Sequence, residues 1–334
     1  MPKDIGRGMN EGYLSGKVIA LSGGTGSFGR TFTRMVLDKH HPKTIRIISR
    51  GEVLQDEMER EFGGDKRLRF FLRDVRDKDG LIRAFDGADV VVHAAALKIA
   101  PKLEYSPWEA VQTNIIGTAN VVTAALQNKV ECVLGISTDK AVRATTLYGA
   151  TKAVAERLLI QGNVGRHSTH LSCVRYGNFI GSRGSVVPLF LSQKEQGCFT
   201  ITDERMTRFW LTKEDGVQFA IDCLERMHGG EIFVPKIPCA RVTSVADAIA
   251  PDVPRKLIGI RPGERLSETL ITEEEARHTR EFDTFYVIDP EMPYWGYKPI
   301  EGGKSLPDGF EYASNSVNDM LSAEELKEKL KSCL

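Results

Sequence analysis

With 334 residues and 41% apolar content, the chain is long enough for one large or two modest domains and can bury an ordinary globular core. Its 45 Lys plus Arg balance 45 Asp plus Glu. No long-range positive field therefore draws it to nucleic acid or an anionic membrane, and any anion must be caught by a local site. Residues 1–10 are polar, and no window is apolar enough to span a bilayer, which predicts no membrane association and a cytoplasmic location.

In chain order, apolar β-type runs alternate with helical patterns: Val18 to Leu21, Ile45 to Ile48, Leu68 to Leu72, Val90 to His93, Val133 to Ser137 and Ser172 to Tyr176. The helical segments between them include Phe28 to Lys39, Pro107 to Gln127 and Leu147 to Gln161. This order predicts an α/β fold, a Rossmann-like doubly wound parallel sheet whose strands are covered by helices on both faces. After Tyr176 the regularity gives way to a Gly- and Ser-rich loop (177–185), a helix near Leu189 to Glu195 and a Pro-studded region from Pro235. The stretch Glu214 to Met227, followed by Ile232 to Val234, reads as a return to the sheet. The expected division is 15–176 plus 210–236 for a dinucleotide-binding domain and 177–209 plus 237–334 for a smaller, C-terminal substrate-binding lobe. Ser322 and Glu325 have the capping-box spacing that opens a last helix, Ala323 to Leu330.

The first strand runs into Gly23-Gly24-Thr25-Gly26-Ser27-Phe28-Gly29, a G-x-x-G-x-x-G turn that opens a helix. Such glycines let the backbone turn tightly against a pyrophosphate, while helix N-terminal N–H groups hold its charge. The second strand ends in Ser49-Arg50, where an NAD enzyme carries an acid for the ribose hydroxyls. A guanidinium there pairs with a 2′-phosphate, so NADP is the expected cofactor. Asp74-Val75, after the third strand, has the placement of an adenine contact, although Asp74 reads equally well as a surface carboxylate. Ala94 and Ala95, after the fourth, offer small residues where a cofactor must pass closely.

Tyr148 and Lys152 lie four apart at the start of a helical pattern, on one face and one turn from each other. A neighbouring cation favours the phenolate, and a phenolate can take a proton from a sugar hydroxyl while hydride leaves the same carbon. The fifth strand ends in Ser137-Thr138-Asp139-Lys140, at the carboxyl edge where this fold places its ligands. Arg205, Arg208 and Arg261 supply guanidinium donors suited to a diphosphate. Asn114 reads either as ordering a group near Lys152 or as a buried structural amide. The histidines, His40-His41 among them, show no ligand spacing, and six cysteines (Cys132, Cys173, Cys198, Cys223, Cys239, Cys333) contain no C-x-x-C pair. No metal and no disulfide framework is expected. Cys333 stands second from the end and so makes no prenylation box.

The blocks Gly23 to Gly29, Ser49-Arg50, His93 to Lys98, Ser137 to Ala141, Leu147 to Lys152, Val174 to Asn178, Gly181 to Pro188, Thr202 to Trp210 and Arg261 to Glu264 resemble the inverting UDP-N-acetylglucosamine 4,6-dehydratases of the extended short-chain dehydrogenase/reductase superfamily. Those enzymes open the pseudaminic acid pathway, and the similarity runs over nearly the whole chain. Retaining nucleotide-sugar dehydratases carry Asp-Glu after the threonine, whereas the inverting group carries Asp-Lys, as Asp139-Lys140 does here. The segment Val142 to Thr146 departs from the Asn-Pro-containing stretch of that group without removing a catalytic residue. The resemblance implies that Tyr148, assisted by Lys152 and Thr138, takes the C4 hydroxyl proton as C4 hydride passes to NADP. Neutral Lys140 then removes the C5 proton, protonated Asp139 delivers one to the departing C6 hydroxyl, and hydride returns to C6 with inversion at C5. It also points to Asn178, Arg205 and Arg261 for the diphosphate, to Val186, Pro188 and Thr200 on the uridine side, to Glu264 as a further substrate-binding residue, and to Lys98 near cofactor or sugar. A homo-oligomer is implied as well. The rival readings are a UDP-N-acetylglucosamine 4-epimerase, a retaining dehydratase and a non-catalytic NADP-sensing protein.

Overall fold

In a computed structural model, which describes residues 12–165, 167–181, 185–293, 295–316 and 320–331, the apolar runs become Val18–Ser22 (β1), Thr44–Ser49 (β2), Leu68–Leu72 (β3), Val90–His93 (β4), Cys132–Ile136 (β5) and His170–Val174 (β6). The polar start of the chain, Cys333 and residues 182–184 of the Gly- and Ser-rich loop lie outside the described residues. The six strands pair in the order β3-β2-β1-β4-β5-β6, all parallel. Every residue of β1 and β4 is buried, because helices cover both faces of the sheet's centre. The strand order reverses between β1 and β4, so the loops leaving them diverge and open a crevice at the carboxyl edge. β5 and β6 end one and two residues earlier than their sequence patterns. Beyond β6, Arg175 still donates its backbone N–H to Phe233 and Ser137 to Val174, but the ladder loosens as the chain turns into the cleft.

Ile232–Pro235 returns to the sheet parallel to β6, as expected. The expected division fails beyond it. Phe285–Ile288, Thr279–Glu281 and Lys304–Ser305, all within the range assigned to the lobe, add antiparallel strands and extend the sheet to ten. The physical reason is Phe285–Ile288, whose four residues are all buried in the large core, drawing the hairpin that carries it onto the sheet. The boundary at residue 210 also falls inside a strand, since Thr207–Leu211 pairs with Cys239–Arg241 and Asn178–Phe179 in a separate three-stranded sheet.

A second apolar core, including Phe190, Phe199, Trp210, Val245 and Leu326, lies beneath that sheet. Its last helix, Ala323–Leu330, opens with the Ser322–Glu325 capping box in place. The helices Ser27–Lys39, Leu147–Gln161 and Lys213–Arg226 follow their sequence patterns closely. Pro107 to Gln127 is not one α-helix: the α-turn Pro107–Ala110 passes into a π-turn, Val111–Ile116, before α-helix resumes at Gly117. π-turns of this kind are common at functional sites. This one carries Asn114, which accepts from Leu97 N–H (2.8 Å) and donates to Leu97 C=O (2.9 Å) and Thr151 Oγ1 (3.0 Å). It thereby ties the loop after β4 to the helix bearing Tyr148 and Lys152. Among the described residues no helix is long and apolar enough to cross a membrane.

Candidate active site

A cleft of about 1470 Å³ lies along the carboxyl edge of the sheet and is closed on its far side by the lobe. Its first end is the glycine turn. Gly23 has φ +73°, and a Cβ there would meet Ala95 N at 2.7 Å, so only glycine lets the turn sit against the loop after β4. The helix that follows begins at Ser27 without a side-chain cap and without an acid in its first turn, leaving its N–H groups and dipole for an anion. Thr25, Gly26, Ser27 and Phe28 line the cleft. Gly29 does not. It is buried, and a Cβ there would strike Gly24 O at 2.3 Å, which makes it a packing glycine between helix and turn.

Ser49, Arg50 and Val75 line the same end, as do Ala94, Ala95 and Lys98. Asp74 is not on the cleft wall: its carboxylate accepts from Arg76 N–H (2.9 Å) and Nε (2.8 Å) and stands 3.7 Å from Arg50. These contacts are those of a carboxylate paired with the arginines at the strand end. Sequence reading missed Arg73, whose side of the strand end does reach the cleft beside Arg50. The only signal for it was a second arginine at a strand terminus. A positive-φ glycine turn, an uncapped helix end, small alanines and two arginines form a cradle that fits a nicotinamide dinucleotide.

At the centre, Thr138, Lys140, Tyr148 and Lys152 face the cleft together. Asp139 is fully buried beneath them. Its Oδ1 accepts from Thr138 Oγ1 (2.8 Å) and Lys140 Nζ (2.9 Å), while Oδ2 is buried and has no partner among the described residues. Lys140 Nζ also donates to Asn178 Oδ1 at 3.1 Å. Burial alone lowers the affinity of the Lys140 amine for its proton, but Asp139 and Glu268 outweigh it, and the net shift is upward. The neutral Lys140 that the resemblance implies is therefore not the form that the open cleft favours.

Tyr148 also departs from expectation. Burial raises its pKa, and the opposing influences are the charge of Lys140 and a hydrogen bond with Thr138. Lys152 contributes less than its spacing suggests, because its Nζ donates to Ile136 C=O at 2.8 Å, and burial lowers its own pKa. Beneath the cleft His93 bonds Ser22 Oγ (2.7 Å) and Thr118 Oγ1 (3.0 Å), and burial brings its pKa down to about 3.

On the lobe side Asn178, Val186, Pro188, Thr200, Arg261 and Glu264 line the cleft. Arg205 is not brought there: its side chain is 73% exposed and bonded to Asp203 within its own turn (3.0 and 2.8 Å). Arg208 reaches the wall, yet its guanidinium is spent on the carbonyls of Thr207 (2.7 Å), Leu266 (3.2 Å) and Arg265 (2.9 Å), so it braces the wall instead of presenting a free fork. Beside it is a carboxylate that sequence reading passed over, Glu268, just beyond the Arg261 to Glu264 block.

A family model described as "Polysaccharide biosynthesis protein" matches residues 19–290. The chain belongs to that family. Within it, the chain is 44% identical over 324 residues to the UDP-N-acetylglucosamine 4,6-dehydratase (inverting) of Campylobacter jejuni, spanning 94% of this chain and 97% of that one. It is 38% identical over 326 residues to the UDP-glucose 4-epimerase of Rickettsia conorii, spanning 94% and 95%. The X-ray structure of Pen from Bacillus thuringiensis superposes with a TM-score of 0.88 at 34% identity, covering 96% of this chain and 99% of that one. The resemblance read from the motifs and the doubly wound fold both stand on these likenesses.

Proposed function

We propose that this polysaccharide biosynthesis protein is an NADP-dependent lyase, an inverting 4,6-dehydratase that converts UDP-N-acetylglucosamine to the 4-keto-2,6-dideoxy sugar of β-L-arabino configuration. The observation that carries the reading is the Asp139–Lys140 pair on the cleft floor beside Tyr148, an acid and a base that a 4-epimerase does not need. The similarity to the Campylobacter enzyme supports the same substrate.

Bound NADP supplies a hydride acceptor for C4, a donor for C6 and a positive charge in the cleft. Tyr148, held by Thr138, takes the C4 hydroxyl proton, a role that requires the loaded cleft to reverse the upward shift of its phenol. A ketone at C4 acidifies the C5 hydrogen. For the elimination Lys140 must be an amine and Asp139 an acid. Transfer of one proton along the existing 2.9 Å bond from Nζ to Oδ1 turns the observed ion pair into that tautomer without changing net charge. Water-poor surroundings favour the neutral pair. Lys140 then takes the C5 proton as Asp139 protonates the departing C6 hydroxyl, and the original ion pair is restored.

Arg50 and Arg73 at the ribose end support NADP over NAD. Arg261 and Asn178 support diphosphate binding from the lobe, with Thr200, Val186 and Pro188 toward the uridine and Glu264 setting the Arg261 turn. Exposed Tyr105 and Trp108, beside the π-turn, are consistent with a homo-oligomer, and cysteines without a C-x-x-C pair with the reducing cytoplasm.

The test is proton NMR of UDP-N-acetylglucosamine incubated with the protein in deuterated water. A C6 methyl signal with L-arabino configuration is expected. The second reading, favoured by the Rickettsia relative, is a 4-epimerase, and it would give a C4 epimer with no methyl signal. A D-xylo ketone would mark a retaining enzyme.

A further inference from the structure

Glu268 is 5% exposed and lies on the lobe wall of the cleft, opposite the sheet edge that carries Asp139 and Lys140. Its Oε1 is 4.0 Å from Lys140 Nζ and 3.7 Å from Arg208 Nε, and its Oε2 is 4.0 Å from Arg265. None of these distances is a hydrogen bond to Lys140, so the interaction is one of charge across the cleft, in surroundings of low dielectric. The groups facing Lys140 come from every neighbouring element. Asp139 and Thr138 stand on its own turn, Lys98 on the loop after β4, and Tyr148 on the helix above. Asn178 and Arg208 belong to the lobe sheet, and Glu268 to the segment behind it. Of these only Asp139 and Glu268 are acidic. Asp139 alternates between acid and carboxylate in the proposed reaction, whereas Glu268 touches neither of the atoms that exchange protons.

We propose that Glu268 is a positioning residue for Lys140, holding the ammonium toward the lobe and setting the pH up to which the Asp139–Lys140 pair keeps the shared proton that the elimination uses. The role rests on the dehydratase reading above. In the elimination step C5–H breaks, Nζ–H forms, and the C–O bond at C6 breaks as Asp139 gives its proton to the departing hydroxyl. Lys140 ends the step positively charged, and the Glu268 carboxylate stabilises that state, although burial and the charge of Asp139 raise its own affinity for a proton. The same Glu268 charge makes the amine harder to generate beforehand. Arg208 and Arg265 limit this cost by facing Glu268 from the other side.

Glu268→Gln removes the charge and keeps the shape. The falling limb of the kcat–pH profile, where the pair loses its shared proton, is followed by methyl formation and is expected to move down by roughly one unit, about a tenfold change at a fixed pH on the limb, with KM little changed. Glu268→Asp, which keeps the carboxylate, is expected to restore the limb. An unmoved limb in Glu268→Gln, or an equal shift in Glu268→Asp, would overturn the proposal. Should Glu268→Gln not fold, Glu268→Ser is compared with the wild-type protein by NMR titration of the lysine 13Cε signals. The Lys140 signal is assigned by its loss in Lys140→Arg. Because Asp139 by itself favours the Lys140 ammonium, a lower titration in Glu268→Ser than in the wild type supports the role, and an unchanged one refutes it. This second readout needs no turnover. A wild-type protein without methyl product would therefore sink the dehydratase reading while leaving the Glu268–Lys140 interaction measurable.

Discussion

Arg175 and Lys140 are both cations flanked by two carboxylates, and their surroundings differ in what is left unsatisfied. Arg175, at the end of β6, is 3% exposed. Its guanidinium donates to Glu156 (3.1 and 2.8 Å), to Glu275 (3.0 and 2.9 Å) and to Leu270 C=O (2.8 Å), so the fork is filled. Burial works against its charge, and the two glutamates more than reverse this. Lys140 is 36% exposed, has Glu268 beyond hydrogen-bonding distance, and shares Asp139 with a second oxygen that has no partner among the described residues. A completed network locks the helix Leu147–Gln161, β6 and the lobe strand Thr269–Ile271 into one geometry. An incomplete one keeps proton-carrying groups ready to change partners.

The largest expected effect comes from breaking the incomplete cluster. Lys140→Met and Tyr148→Phe should each lower kcat by about 10²–10⁴-fold, as loss of a general acid or base does, with thermal unfolding little changed in Tyr148→Phe but lowered in Lys140→Met, which leaves buried Asp139 without its cation. Activity that survives either change would dissolve the contrast. Arg175→Met should do the reverse. Two buried glutamates lose their counter-charge, destabilising the fold by about 3–5 kcal/mol in urea unfolding, while the folded fraction keeps its pH profile.

His93 sharpens the comparison from beneath the cleft. Its folded pKa of about 3 lies below the unfolded 6.5, so its contribution is full above pH 6.5 and is lost as pH falls toward 3. Stability measured by urea unfolding should drop on the order of 2 kcal/mol from this group between pH 6.5 and 5, and His93→Gln should flatten that dependence. Arg50→Ala should weaken NADP binding by about ten- to a hundredfold in calorimetry and leave NAD affinity unchanged, since only the 2′-phosphate loses a charged donor. The smallest effect is expected of Arg205→Ala, an unmoved urea midpoint with unchanged KM, because that side chain is exposed and off the cleft.

Local pattern revealed much of the molecule. Buried strands, the glycine turn, the Tyr148–Lys152 helix and the Ser322 cap each depend on a few adjacent residues, and each could be read from them. Asp139-Lys140 was legible for the same reason, being neighbours at a strand end. Long-range partners were not. Nothing near residue 268 says that it will face residue 140, and nothing near Asp74 says that Arg76 and Arg50 will claim it. Arg205 and Arg208 look alike in sequence, but the turn before Thr207–Leu211 leaves the first in solvent while the strand carries the second into the wall. The fate of Phe285–Ile288 was similarly hidden, because joining the sheet is decided by β6 and Ile232–Pro235, far back in the chain.

The second core has a consequence for biosynthesis. β1 to β6 and their crossover helices are all made before residue 175, so the nucleotide crevice can close early as the chain leaves the ribosome. The lobe's interior draws on residues as distant as Val187 and Leu330, and Leu326 and Leu330 pack there with Val245 and Ile249. The face of the helix Val242–Ile249 turned toward Leu326 and Leu330 stays uncovered until that last helix has emerged. A nascent chain thus passes through a stage with a finished crevice beside an unfinished wall, when a bound dinucleotide would steady the completed half and the exposed half would be open to aggregation.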